Sequence, residues 1–135
     1  MFCYSHKIRV RYGETDKMGV VYHGAYPLYY EEARTEMLRS VGLSYAKLER
    51  RGIMMPVREM HISYSAPAYY DDLLTVRVEV RQMPGARIVF HHLIYNQDEK
   101  LINEAELTLV FVDTATGRPC RVPQDFAEFL KPYFH

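Results

Sequence analysis

The sequence predicts an α+β domain in which one sheet curls around a long central helix. Two patterns indicate this architecture: one long segment repeats apolar residues at three- and four-residue spacing, and several shorter segments alternate apolar and polar residues. The 135 residues suit a single compact domain spanning positions 1–135. With 48% hydrophobic and 25% charged residues, the composition is that of a globular protein.

The first half of the chain predicts a strand, a loop and the long helix. Residues 7–12 alternate as in an edge strand with one wet face. Residues 13–23 contain two glycines and several polar groups, so we expect a functional loop there. Helical spacing then extends from 24 to 41. Pro27 falls in its first turn, where a missing N–H costs no hydrogen bond, and Gly42 follows its end.

The second half predicts a short helix, four strands and a terminal helix. The short helix covers residues 44–51, and the strands cover 59–64, 74–81, 87–95 and 105–112. The last strand is almost continuously apolar, which favours a central strand covered on both faces. Residues 123–134 predict a helix that packs Phe126, Phe129 and Leu130. We expect the outer face of the sheet, near Val89 and Leu93, to be partly apolar and covered by a partner.

Charge and cysteine content narrow the function classes. Seventeen basic and seventeen acidic residues leave no net charge, which disfavours nucleic acid or an anionic membrane as a partner. No secretory signal is evident, and no apolar run approaches the ~20 residues that span a bilayer. We therefore expect a cytoplasmic protein, in which Cys3 and Cys120 remain thiols.

The histidines do not predict a metal site. His91 and His92 are neighbours on a predicted strand, so their side chains point to opposite faces and cannot ligate one ion together. The remaining histidines are scattered along the chain. We expect neither a metal nor a redox cofactor.

Residues 12–26, YGETDKMGVVYHGAY, carry a family resemblance. The aspartate, the glycine, the Val-Val-Tyr-His run and the aromatic residue that opens the helix resemble the active-site loop of the 4-hydroxybenzoyl-CoA thioesterase branch of hotdog proteins. They are most similar to bacterial acyl-CoA thioesterases associated with the Tol-Pal system. The resemblance continues through Ala33-Arg34-Thr35-Glu36 and Tyr64-Ser65-Ala66-Pro67 to Asp71-Asp72.

The resemblance implies a fold, an assembly and an activity. The fold is the hotdog fold, a curved antiparallel sheet wrapped around a long central helix. The assembly is a homo-oligomer, either a dimer or a dimer of dimers (a homotetramer), with its active site at a subunit interface. The activity is hydrolysis of an acyl-CoA or related acyl thioester, with acyl carrier protein as another carrier of the acyl group.

The resemblance also assigns roles to residues. Asp16 becomes the catalytic carboxylate, which attacks the thioester carbonyl or activates a water. His23 contributes a backbone N–H that polarises this carbonyl, because a helix N-terminus has unpaired N–H groups and partial positive charge. The matched residues Gly19, Val21, Tyr22 and Tyr26 are expected to contact the substrate, and Arg58 is added as a substrate contact for its charge.

Other interpretations of these residues remain open. Asp16 could cap a turn, and the imidazole of His23 could act in acid–base chemistry or hold the loop in place. Arg58 and Arg87 could meet CoA phosphates or lie on a solvated face. The family's basic pair has no counterpart before Arg87, so its nucleotide contacts are not transferred to this chain.

Two other functions are compatible with the same fold. One is a non-catalytic module that binds acyl-CoA or acyl carrier protein. The other is a dehydratase, which the position of Asp16 ahead of the helix disfavours. Release of free thiol from acyl-CoA distinguishes the thioesterase from both.

Overall fold

The computed structural model describes residues 1–134. The elements in chain order are β1 (Phe2–Arg9), α1 (Tyr26–Ser40), α2 (Tyr45–Arg50), β2 (Ile53–Met54), β3 (Val57–Tyr64), β4 (Leu73–Val80), β5 (Arg87–Tyr95), β6 (Leu101–Val110), β7 (Val112–Asp113) and α3 (Gln124–Leu130). Single turns of 3-10 helix cover Tyr12–Glu14, His23–Ala25 and Lys131–Tyr133.

The main sheet has five antiparallel strands in the order β1-β4-β5-β6-β3. The helix α1 packs on its inner face, mainly over β1 and β4. The α+β architecture predicted from the sequence is confirmed, as is the long helix against a single sheet. A two-residue pair, β2 with β7, forms a second small sheet that the sequence patterns did not reveal.

The core lies between α1 and the inner face of the sheet. Tyr30, Ala33 and Met37 are fully buried on one side of α1, because residues three or four apart share a helix face. The alternating strands supply the opposite wall, which includes Leu74, Val76, Val78, Ile88, Phe90, Ile94, Leu107 and Leu109. The helix ends where Gly42 adopts a φ of 80°, a left-handed conformation that glycine adopts without strain.

Two strands differ from the predictions. The first strand spans Phe2–Arg9 rather than residues 7–12, because it pairs with β4 along its whole length from Phe2 opposite Val80. The expectation of a last strand covered on both faces holds for Leu107, Thr108 and Leu109, which are buried in succession, but not for the earlier part of β6. Glu104 and Glu106 on β6 are exposed, since a single sheet around one helix leaves its outer face open.

The outer face of the sheet is largely charged rather than apolar. Glu79 is buried there between Arg77 at 2.6 Å and Arg81 at 3.0 Å. Val89 and Leu93 are only half-buried on the neighbouring strand. A cleft of about 310 Å³ lies on the same face, over β3, β5 and β6. The outer face is therefore not the apolar surface that we expected, and it gives little reason to place a covering partner there.

The two edge strands of the sheet, β1 and β3, differ in what packs against them. At the β1 edge, the C-terminal segment packs over Phe2, whose ring meets Phe129 and Tyr133 edge-on at 5.4 and 5.0 Å. At the β3 edge, Val57, Met60 and Tyr64 are between 42% and 51% exposed. The free backbone edge of β3 is thus exposed along most of its length, and it carries polar as well as apolar side chains.

The remaining predictions concern cysteines and the membrane. Cys3 and Cys120 are both free. Within residues 1–134, no helix combines the length and apolarity required to cross a bilayer.

Candidate active site

The loop that precedes α1 folds into a tight hairpin around Asp16. Thr15 and Val21 form an antiparallel bridge, and the N–H of Asp16 donates to the Val20 carbonyl at 2.9 Å. The turn closes when the Gly19 N–H donates to the Asp16 carbonyl at 3.0 Å. Gly19 has a φ of 79°, so this turn needs a residue without a Cβ atom.

The carboxylate of Asp16 sits at the tip of this hairpin. Its Oδ1 accepts a hydrogen bond from the Met18 N–H at 2.9 Å, and the residue is half-buried. Its Oδ2 has no hydrogen-bond donor among residues 1–134. Asp16 therefore caps a turn with one oxygen and leaves the other without a hydrogen-bond donor in the described residues.

His23 lies where the loop enters the helix. It begins the 3-10 turn that leads into α1, and its ring packs against that of Tyr22 at an angle of 46°, with centroids 4.3 Å apart. Within the described part of the chain, neither the His23 N–H nor the Gly24 N–H has a backbone acceptor. These two N–H groups at the start of a helix form a natural position for an oxyanion.

Three of the predicted substrate contacts, Val21, Tyr22 and Tyr26, lie around this entrance with different exposures. Val21 is buried, and its N–H donates to the Ala68 carbonyl at 2.8 Å. Tyr26 is also buried, with its ring edge-on to Tyr64 at 5.5 Å. Tyr22 is 49% exposed and is free to contact a ligand. Val21 and Tyr26 thus form part of the buried support of the candidate site, whereas Tyr22 lies at its exposed border.

Arg58 is not near the other predicted site residues of its own chain. It lies near the start of β3, whereas Tyr64 ends that strand and contacts His23. Six residues of extended strand separate Arg58 from Tyr64 by about 20 Å. Arg58 is exposed and occupies an irregularity in the pairing between Val57 and Glu59.

Glu14 anchors the loop, a role that the sequence patterns did not reveal. Its Oε1 accepts from the Arg11 N–H at 2.8 Å and from the Tyr29 hydroxyl at 2.9 Å, which ties the loop to α1. Burial alone raises the pKa of Glu14, but these hydrogen bonds and the Arg11 guanidinium lower it below its ordinary value. Glu14 is therefore an ionised structural carboxylate.

Tyr64 is a second residue that sequence reasoning missed. Its hydroxyl donates to the His23 carbonyl at 2.8 Å, across 41 positions of sequence. The bond holds the peptide between His23 and Gly24, whose N–H is one of the two unpaired donors. The family resemblance includes Tyr64-Ser65-Ala66-Pro67, which is a weak signal for this residue, but it assigned the tyrosine no role.

The geometry supports acyl transfer chemistry. A carboxylate oxygen and two unpaired helix N–H groups lie on one short loop, at positions 16, 23 and 24. A carbonyl oxygen held by such donors gains stabilisation as negative charge develops on it. The cleft on the outer face is lined by neither Asp16 nor His23, so it is separate from the candidate site.

Comparison with known proteins agrees with this chemistry. Residues 10–130 match the family model described as the thioesterase-like superfamily. The acyl-CoA thioester hydrolase YbgC of Escherichia coli O6:H1 is 42% identical over 123 residues, which cover 90% of this chain and 92% of the relative. The acyl-CoA thioesterase YbgC of Haemophilus influenzae is 33% identical, covering 98% and 94%.

A solved structure supports the same grouping. The DHNA-CoA thioesterase from Staphylococcus aureus superposes with a TM-score of 0.89 at 32% sequence identity. The match covers 98% of this chain and 89% of that structure. Both the loop and the sheet therefore lie within the compared region.

Proposed function

Since the chain belongs to the thioesterase-like superfamily, we propose that it is an acyl-CoA thioesterase whose Asp16 carboxylate acts at the thioester carbonyl. Cleavage yields a carboxylic acid and free coenzyme A. The observation that carries the role of Asp16 is its unpaired Oδ2 on the hairpin that leads directly to the unpaired N–H groups of His23 and Gly24.

The proposed chemistry needs few groups. Asp16 either attacks the carbonyl carbon or takes a proton from the attacking water. The helix N–H groups stabilise the oxygen that becomes negative, and the thiolate of coenzyme A leaves readily. Tyr22 borders the bound acyl group, while Gly19 lets the loop backbone approach it.

Replacing Asp16 tests the catalytic role. Asp16→Asn keeps the turn, because the amide oxygen can still accept from the Met18 N–H, but it removes the negative charge. We expect kcat to fall at least about a hundredfold, since general-base contributions are typically ~10² to 10⁴. Binding of an acyl-CoA should persist. A thiol reagent measures release of free coenzyme A.

Asp71→Asn is the matched control for loss of a loop carboxylate. Asp71 is exposed, lies 3.9 Å from Arg9 and has a φ of 70°, which asparagine also tolerates. This variant should hydrolyse acyl-CoA at the wild-type rate. A folded Asp16→Asn enzyme with near wild-type kcat would remove Asp16 from the mechanism and direct attention to the His23 imidazole.

The proposed reaction uses no metal ion. In the described residues, no group of three or more His, Cys, Asp or Glu side chains is arranged to hold a metal. Activity is therefore expected to survive dialysis against EDTA. Loss of turnover with EDTA and its return with zinc would contradict the carboxylate mechanism.

The proposal extends to location and assembly. A cytoplasmic enzyme would meet acyl-CoA directly, and the free thiols of Cys3 and Cys120 suit a reducing compartment. We propose a homo-oligomer, a dimer or a dimer of dimers, because the free edge of β3, with Val57, Met60 and Tyr64 exposed on it, is a template for pairing with another strand. Acyl carrier protein is an alternative carrier of the acyl group.

A further inference from the structure

We propose that Glu14 and Tyr29 form a positioning pair, which fixes the distance between the Asp16 carboxylate and the N–H groups at the start of α1. The inference rests on the proposed function and deepens it, because it gives a contact between the loop and the helix a consequence for the rate of the reaction. Both residues act through the catalytic groups and not on the substrate.

The catalytic groups of the candidate site lie on two different segments. The Asp16 carboxylate is on the hairpin, whereas the unpaired N–H groups of His23 and Gly24 belong to the 3-10 turn that opens α1. The donors must hold the carbonyl oxygen while the carboxylate, or the water that it activates, reaches the carbon. An error of about 1 Å in such an arrangement can cost roughly a hundredfold in rate. The chemistry therefore requires a fixed distance between hairpin and helix.

Glu14 is bonded to the segments on both sides of this gap. Its backbone carbonyl accepts from the Tyr22 N–H at 2.9 Å, one residue before His23. Its carboxylate Oε1 accepts from the Tyr29 hydroxyl at 2.9 Å, near the start of α1. Asp16 follows Glu14 by only two positions. A shift of Glu14 relative to α1 would therefore carry Asp16 with it.

The carboxylate of Glu14 is itself held in one orientation. Its Oε1 also accepts from the Arg11 N–H at 2.8 Å, and its Oε2 accepts from the Arg11 guanidinium at 3.0 Å. The side chain of Glu14 is only 15% exposed. Because a hydrogen bond to an ionised acceptor is roughly twice as strong as one between neutral groups, the bond to Tyr29 is a firm connection.

Tyr29 supplies a fixed reference point on the helix. Its side chain is buried, and its ring packs edge-on against that of Tyr26 with centroids 5.7 Å apart. Burial and the neighbouring Glu14 carboxylate raise the pKa of Tyr29 well above its ordinary value, so the hydroxyl remains a donor at neutral pH. The position of this hydroxyl is thus set by the packing of α1.

Tyr29→Phe removes the hydroxyl and keeps the ring. We expect kcat for acyl-CoA to fall about tenfold, the value of one hydrogen bond to a charged group, while KM changes little. Tyr45→Phe is the matched control, because Tyr45 is a partly buried tyrosine on α2, and its kcat should equal that of the wild type. An unchanged kcat in folded Tyr29→Phe would overturn the inference.

Two substitutions of Glu14 separate geometry from charge. In Glu14→Gln the amide oxygen can still accept from the Tyr29 hydroxyl and the Arg11 N–H, so kcat should fall by no more than about threefold. Glu14→Ala removes the acceptor and should lower kcat about tenfold or more. Equal losses in the two variants would show that the charge of Glu14 matters rather than its bond to Tyr29, and would overturn the inference.

The Asp16→Asn background distinguishes positioning from a general effect on the fold. Residues that act as a unit have non-additive effects on rate. If Tyr29 acts by placing the Asp16 carboxylate, Tyr29→Phe should lower the residual rate of Asp16→Asn less than about twofold. A tenfold loss in both backgrounds would assign Tyr29 a structural role only.

Circular dichroism at the assay temperature checks the folding of each variant. If Tyr29→Phe does not fold, Glu14→Ala is compared in the same two backgrounds with the same expected factors. Failure of the wild type to release thiol from any acyl-CoA would overturn the proposed function together with this inference. Equal factors in the two backgrounds would overturn the inference alone.

Discussion

At the scale of single residues, three polar side chains are buried in an otherwise apolar core. Arg34, His92 and Asn103 are at most 4% exposed, and each has side-chain nitrogen atoms without hydrogen-bond partners in residues 1–134. Tyr30 links two of them, since its hydroxyl donates to Asn103 and its ring lies 4.9 Å from that of His92. Burying such a polar group away from water costs free energy, and the cost is larger when the group is charged.

This burial predicts a pH-dependent stability that depends on His92. Desolvation, reinforced by the charge of Arg34, lowers the pKa of His92 well below 6.5, and the backbone of Tyr30 only partly opposes the shift. His92 therefore binds a proton more readily in the unfolded chain than in the folded chain. Stability should be maintained above about pH 6.5 and fall as the pH drops below it, with a limiting slope of ~1.4 kcal/mol per pH unit.

Urea unfolding from pH 7.5 to 5 measures this slope. His92→Gln cannot titrate, so its stability should fall less steeply over that range than the stability of the wild type. Some slope should persist, because burial also lowers the pKa of His91. His61→Gln on the exposed end of the outer face is the control and should follow the wild type. If the free energy of unfolding fell with pH equally steeply in His92→Gln and in the wild type, His92 would not be the source of the pH dependence.

At the scale of elements, the bond between Tyr64 and His23 couples an edge strand to the start of the central helix. Tyr64→Phe removes only the hydroxyl that donates to the His23 carbonyl. We expect kcat to fall about fivefold, the value of one neutral hydrogen bond of ~1 kcal/mol, with KM little changed and a melting temperature lowered by no more than about 5 °C. Tyr69→Phe is the control, because Tyr69 is equally exposed at 52%. A loss of kcat that merely follows a loss of stability would assign Tyr64 a structural role only.

The elements show which parts of the structure a sequence can predict. The segments predicted over residues 24–41 and 87–95 correspond to α1 and β5, because each has a strong period and buries one face. The start of β1 was missed, since Phe2-Cys3-Tyr4 has no clear alternation and is set by pairing with β4. Local sequence patterns predict single elements, whereas the register of a strand depends on how two strands pair.

The same limit applies to the site. Asp16, Gly19 and His23 could be selected as candidates because one short segment contains all three. The anchor formed by Glu14 and Tyr29, and the contact of Tyr64, join positions that are 15 and 41 residues apart. Only folding brings these pairs together, so the sequence did not indicate that Glu14 contacts Tyr29 or that Tyr64 contacts His23.

At the scale of the whole molecule, the distribution of exposed side chains bears on the proposed association of copies. The sequence suggested a partner on the outer face, but charged residues such as Arg77, Glu79 and Arg81 dominate it. The structure favours the β3 edge instead. Which edge of a sheet stays free depends on strand order and on the path of the C-terminal segment, and neither has a local signature in the sequence.

Met60→Lys tests this assembly. Met60 is 42% exposed in a single chain, so lysine at this position should leave the fold intact. In a β3-to-β3 interface its ammonium group would be desolvated beside an edge strand, where lysine commonly prevents pairing. We expect the variant to sediment as a monomer at micromolar concentration and to lose activity, because the site would lack its second chain. Met83→Lys, at a methionine that is 40% exposed outside β3, should remain associated and active. An associated, fully active Met60→Lys protein would place the interface elsewhere on the surface.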